Sequence, residues 1–232
     1  MQTAGSSDRP AGGDADRTTE LTPTSYTILG LLALGDSSGY RVTKQVRRGL
    51  GQLWPRAERQ LYNDPKRLVE AGYVTATHER VGRRQRTIYS ITRRGRTALR
   101  RWLDTEPRPP TLEFEGMVRV LFAEQGTIEQ LRTTLAGIAE QAEQTRAEYA
   151  GWATYMVDDG GDFPTRMHTN ALAMRFMVDH FTHIVEWARW ALEVTGEWPD
   201  ATTPARDWVD EAGAIYRDVA RYAVVDDGDP SA

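Results

Sequence analysis

The sequence predicts a mainly α-helical protein in two parts: three to four helices with one β-hairpin in the first, helices only in the second. Three observations carry this. Apolar residues recur at helical spacing on both sides of one proline-rich break, Glu106-Pro107-Arg108-Pro109-Pro110. A single pair of short runs rich in Val, Thr, Tyr and Ile, joined through a glycine, falls before that break. The charge also reverses there: residues 21–104 carry 17 Lys and Arg against six Asp and Glu, a net of +11, whereas residues 105–232 carry 10 against 23, a net of −13. Residues 1–20 add −2, so the formal total of −4 conceals two oppositely charged halves.

The organisation expected is a disordered leader (1–20), a first domain (21–105), a linker (106–111), a helical domain (112–225) and a frayed acidic tail (226–232). At 40% hydrophobic and 27% charged, the chain has the composition of an ordinary folded protein. It has no cysteine, which excludes disulfides, thiolate-bound zinc, iron–sulfur clusters and a cysteine nucleophile. The longest apolar run, residues 26–34, is far short of the roughly 20 residues that cross a bilayer. Residues 1–20 lack the apolar stretch of a secretory signal, so no membrane association and a cytoplasmic location are expected.

The first helix is short and strongly apolar, built on Tyr26, Ile28, Leu29, Leu31 and Leu32, with Thr22 or Thr24 as N-cap and Gly35 as its stop. The second opens near Ser38 and ends at Gly51. Its Val42, Val46 and Leu50 share one face, leaving Arg41, Lys44, Arg47 and Arg48 on the other. The third reads as one locally distorted helix over residues 56–71 ending at Gly72; the alternative is a later start, with Asp64-Pro65 as cap and first residue. Residues 73–80 and 85–91 make the hairpin, connected by Val81-Gly82-Arg83-Arg84. A fourth helix from Arg93 to about Leu103 places Leu99, Trp102 and Leu103 on its apolar side.

In the second half, Phe114, Met117, Val118, Leu121 and Phe122 follow the spacing of one amphipathic face. Thr127 with Gln130 forms a capping box. The helix it opens carries a heptad-like seam of Ile128, Leu131, Leu135, Ile138, Ala142, Thr145, Tyr149, Trp152 and Met156. The helix at 170–194 confines Arg175, Asp179, Thr182, Glu186, Arg189 and Glu193 to a narrow arc. Nearly everything else on it is apolar, which implies two packing surfaces, one for the core and one for a partner subunit. A last helix opening at Thr203-Pro204 is expected to bury Trp208, Ala212, Ile215, Val219 and Tyr222.

Three short helices, a basic hairpin and a net +11 describe a winged helix-turn-helix, followed by an all-α C-terminal dimerisation domain. The third helix would enter the major groove of double-stranded DNA, with Arg56, Arg59, Gln60, Tyr62, Asn63 and Lys66 as candidate contacts; Arg pairs bidentately with guanine, Asn or Gln with adenine. Arg41 and Lys44 on the second helix, and Arg80, Arg83, Arg84 and Arg86 on the wing, would meet phosphates or a neighbouring groove. Candidate dimer contacts are Phe114, Val118, Leu121, Phe176, Phe181, Ile184, Trp187 and Trp190.

Residues 24–103 resemble the PadR-type transcriptional regulators. The resemblance rests on Tyr26-Thr27-Ile28-Leu29-Gly30-Leu31-Leu32, Ser38-Gly39-Tyr40, Leu61-Tyr62 with Lys66-Arg67-Leu68, Glu70-Ala71-Gly72-Tyr73-Val74, and Tyr89-Ser90-Ile91-Thr92-Arg93-Arg94-Gly95 before Leu99, in family order and spacing. The sequence departs at Pro65, where the family usually has an aliphatic residue, and at Asn63, where a proline usually follows the tyrosine. The second half is similar to the longer class of these regulators. The resemblance implies a homodimeric repressor on an inverted-repeat operator, released by a small molecule. Trp152, Trp187 and Trp190 are candidates for an aromatic effector pocket, or else anchors of core and interface. His180 and His183 with Asp179 and Glu186 have helical metal-ligand spacing but no recognisable further ligand, so neither metal nor cofactor is expected. No nucleophile elbow, phosphate-binding glycine loop or HExxH motif is present, which argues against an enzyme.

Overall fold

The computed structural model describes residues 20–53, 64–81, 84–160, 164–204 and 208–223, and the chain divides into two compact units, Met1–Pro109 and Pro110–Ala232. In the first, α1 (Pro23–Leu34) is capped by the Thr22 side chain and closed at Gly35. β1 (Ser37–Ser38) leads into α2 (Gly39–Leu50), followed by α3 (Asp64–Glu70), β2 (Val74–Val81), β3 (Arg84–Ile91) and α4 (Arg93–Leu103). Ile28, Leu29 and Leu32 of α1, Val42 and Val46 of α2, Leu68 of α3, and Tyr73 and Val74 form one core.

Two links fix this arrangement. After α3, Gly72 takes a φ of 72°, and the Tyr73 and Gly72 amides donate to the Leu68 and Val69 carbonyls, which turns the chain out of the helix into β2. Thr92 caps α4 at Gly95 and also donates to the Gly72 and Tyr73 carbonyls, tying α4 to the same turn. Gly95 sits against that turn so closely that a Cβ would meet the Tyr73 carbonyl oxygen and come within 2.8 Å of Ile91 Cγ1.

Several expectations are corrected. The sheet has three strands in the order β1-β3-β2, because Ser37 and Ser38 pair with Tyr89 and Ile88. A two-residue strand has too little periodicity to be read from sequence. The hairpin pairing runs to Val81 opposite Arg84, so the connection is Gly82-Arg83 and not four residues. Leu103 is exposed, since the last turn of α4 runs past the core; Trp102 is half-exposed and stacks on Tyr26 at 4.7 Å. Of the long helix expected over 56–71, the described part begins at Asp64, and residues 54–63 lie outside the described residues.

The second unit is built on an antiparallel pair of long helices, α6 (Ile128–Asp159) and α7 (Met167–Gly196). The Thr127–Gln130 capping box opens α6, and Ile128, Leu131, Leu135, Ile138, Ala142 and Tyr149 of the seam are buried. The Arg132 guanidinium reaches across to the carbonyls of Thr195, Gly196 and Trp198, closing the far end of α7. A short α5 (Glu115–Leu121) packs on this pair through Phe114 and Val120, against Ile138, Ala139 and Ala188.

Here, too, the pattern of apolar residues overstated burial. Val118, Leu121 and Phe122 point to solvent, because the seven-residue α5 presents only its Phe114–Val120 side to the pair. The last helix, α8 (Trp208–Ala220), contains no buried residue. Its first turn is held by Trp208 against Trp190 and Trp198 at 5.8 and 5.9 Å. Beyond it, exposure climbs along one face, from 41% at Ile215 to 59% at Val219 and 74% at Tyr222. Among the described residues no helix is long and apolar enough to cross a membrane.

Candidate nucleic-acid interface

In α2, the Ser38 side chain accepts from the Arg41 amide, and Val42 and Val46 turn into the core. That rotation sends Arg41 and Lys44 outward, where both are exposed. Because β1 pairs with β3, the start of α2 lies beside the stem of the wing. Arg86 donates to Ser38 Oγ at 3.2 Å there, and Ser38, Gly39, Tyr40, Arg41, Gln85, Arg86, Thr87 and Tyr89 line an open groove. Tyr40 is exposed at its edge. An array of outward cations next to a helix start, whose free amides favour anions, suits a phosphate backbone.

On α3, Leu68 enters the core while Lys66 and Arg67 stay outside. Asp64, at the start of the helix, is buried and accepts from Ser25 Oγ of α1 at 3.3 Å; Arg67 lies 3.5 Å from its other oxygen. Burial raises the Asp64 carboxyl above the ordinary carboxylate range, opposed by Arg67 and by the Ser25 hydrogen bond. On the wing, Arg80 is exposed opposite Gln85, Glu79 faces Arg86, and Thr87 pairs with His78 at 3.2 Å. Not all of the +11 is available to a ligand. Arg94 lies over the Tyr73 ring at 4.8 Å, and Arg96 donates to the Ala33 carbonyl.

The structure therefore brings Arg41, Lys44, Lys66 and Arg80 to the surface of one unit, and shows Arg86 as a partly buried tie between wing and α2. Arg56, Arg59, Gln60, Tyr62, Asn63 and Arg83 lie outside the described residues, and Arg84 is described only as the backbone opening β3. Sequence reading missed the groove and its Tyr40 and Gln85. They meet only through the β1–β3 pairing.

In the second unit the candidate contacts separate into two groups. Phe114, Ile184 and Trp187 pack within the unit, and Phe181 stacks beside Tyr149 at 6.1 Å. Val118, Leu121, Phe176 and Trp190 are exposed. The effector candidates pack differently: Trp152 stands edge-on to Tyr149 at 4.9 Å, Trp187 packs in the α5–α7 clusters, and Trp190 meets Trp208.

Residues 28–101 match the transcriptional regulator PadR-like family. The negative transcriptional regulator PadR of Bacillus subtilis is 34% identical over 99 residues, 42% of this chain and 54% of that protein. The chain spans about half the length of the curated relatives it matches. Among solved structures, Bacillus subtilis PadR in complex with operator DNA is similar with a TM-score of 0.66 at 22% identity, covering 76% of this chain and 99% of that one. The same protein in complex with p-coumaric acid gives 0.58 at 24%, covering 75% and 98%. At these identities the likeness establishes the fold, a winged helix with helical C-terminal elements. The matching family is one of transcriptional regulators, not of enzymes.

Proposed function

We propose, from the match of residues 28–101 to the PadR-like family of transcriptional regulators, that the chain is a sequence-specific DNA-binding repressor acting as a homodimer. The observation that carries the reading is the outward set of Arg41, Lys44, Lys66 and Arg80 on α2, α3 and the wing of a strongly basic unit. Residues 56–63 would supply the base readers, with Arg83 and Arg84 steadying the wing on phosphates. An inverted-repeat operator follows from two-fold symmetry, its half-sites about 10 bp apart or a multiple of that. The −13 helical half would be kept clear of phosphates by repulsion.

Dimerisation is supported by apolar side chains left uncovered on the helical unit, Val118, Leu121, Phe176 and Trp190, which a second copy would bury. Val118→Glu with Phe176→Glu should leave far-ultraviolet circular dichroism unchanged and give monomers by light scattering; an intact dimer would relocate the interface. The solved relative bound to p-coumaric acid supports a small aromatic effector that releases the operator. The packing of Trp152, Trp187 and Trp190 against their own unit favours a second reading, a DNA-binding dimer without a small-molecule effector, governed by a protein partner or by abundance. Selection of duplexes from a random pool by the purified full chain tests DNA recognition. Titration of the resulting complex with phenolic acids separates the two readings: release supports the effector, and undiminished complex supports its absence.

A further inference from the structure

The start of α3 presents a buried carboxylate that the DNA-contact scheme does not use. Asp64 is 2% exposed, in the unit whose hydrophobic core is built of Ile, Leu, Val and Tyr. An acid costs free energy in such a place unless hydrogen bonds and charge compensate it. Its partners come from two elements: Ser25 Oγ of α1, itself 5% exposed and in hydrogen-bond contact with Thr22 Oγ1, and the Arg67 guanidinium one turn along α3. The Ser25–Asp64 bond spans 39 residues of chain and joins the helix that opens the domain to the helix bearing Lys66. Asn63 and Tyr62, counted among the candidate base readers, precede Asp64 directly in sequence. Pro65 follows it and has no amide hydrogen to add a backbone bond at that position.

We propose that Asp64, gripped by Ser25, is a positioning residue for sequence specificity: it sets the height and rotation of α3 against α1, and so the register of the base-reading side chains. The inference deepens the DNA-binding reading and rests on it. A polar pin suits this task better than an apolar side chain, because a hydrogen bond fixes direction while burial alone tolerates sliding. Lys66 and the wing cations reach phosphates from outside the core, so loosening the pin spares non-specific attraction.

The test uses the full chain and two probes, a duplex selected by the wild type from a random pool and a shuffled duplex of equal composition. If the wild type selects no duplex, the DNA-binding reading itself fails. Given a selected duplex, Asp64→Ala and Ser25→Ala should each lower the ratio of selected to shuffled affinity by about tenfold or more, the scale of one misread base pair. The salt dependence on shuffled DNA should not change. Asp64→Asn, whose side-chain oxygen still accepts from Ser25, should keep the ratio within about threefold of wild type. An unchanged ratio in Ser25→Ala overturns the proposal even where Asp64→Ala does not fold. Equal loss on both duplexes, with no rescue by Asp64→Asn, overturns it in favour of a purely structural role.

Discussion

Removing four outward cations together, Arg41, Lys44, Lys66 and Arg80, to alanine gives the sharpest measure of the proposed interface. All four are exposed, and none takes part in an ion pair among the described residues, so their loss should leave the fold intact. Each phosphate contact releases counterions and contributes about 0.9 to the slope of log affinity against log salt, so four contacts contribute about 3.6. Between about 50 and 200 mM salt, wild-type binding should therefore weaken by about 150-fold more than binding of the quadruple variant. Mobility-shift titrations on a shuffled duplex at four salt concentrations, with circular dichroism as the folding control, would measure this. A slope that changes by less than one contact's worth, about 0.9, would show that the basic face does not meet the backbone.

Three further outcomes follow from the packing. Gly95→Ala would push a Cβ into the Tyr73 carbonyl and Ile91, an overpacking that typically costs about 1–3 kcal/mol, and should lower the melting temperature of the intact chain. Arg132→Ala strips the Thr195, Gly196 and Trp198 carbonyls of a cationic donor; charge-assisted bonds are worth about 1.5–3 kcal/mol, so loss within that range is expected by chemical denaturation, and Arg132→Lys should recover only part. The raised carboxyl of Asp64 binds its proton more tightly in the fold than in the unfolded chain. Its contribution to stability is thus full below the ordinary carboxylate value of 3.8 and is lost as pH rises through the elevated one. Stability of Asp64→Asn relative to wild type should accordingly rise across that interval; a flat difference would contradict the assignment.

Much of the fold was legible because its signals are local. The Thr22 cap, one of the two that the sequence offers, the Thr127–Gln130 box and the stop at Gly72 each depend on residues within one turn, and all occur where the sequence places them. What failed was burial at the ends of elements. Leu103 and Tyr222 obey helical periodicity, yet each lies at or past the end of its helix, and periodicity records a face without recording what covers it. At the candidate interface, charge identified Arg41, Lys44, Lys66 and Arg80 correctly as outward. It could not distinguish Arg86, whose role as a tie arises from a two-residue strand, or Arg94 and Arg96, which brace the core. Asp64 was counted only as a helix-start signal, since nothing in the sequence links it to Ser25.

The Trp208 indole lies within 6 Å of both Trp190 and Trp198, its ring tilted by 52° to each. Rings this close and this inclined couple their electronic transitions, so docking of α8 is written into the chain's own absorption and emission. Any event that lifts α8, whether assembly, effector binding or heat, should register optically at this trio without a label.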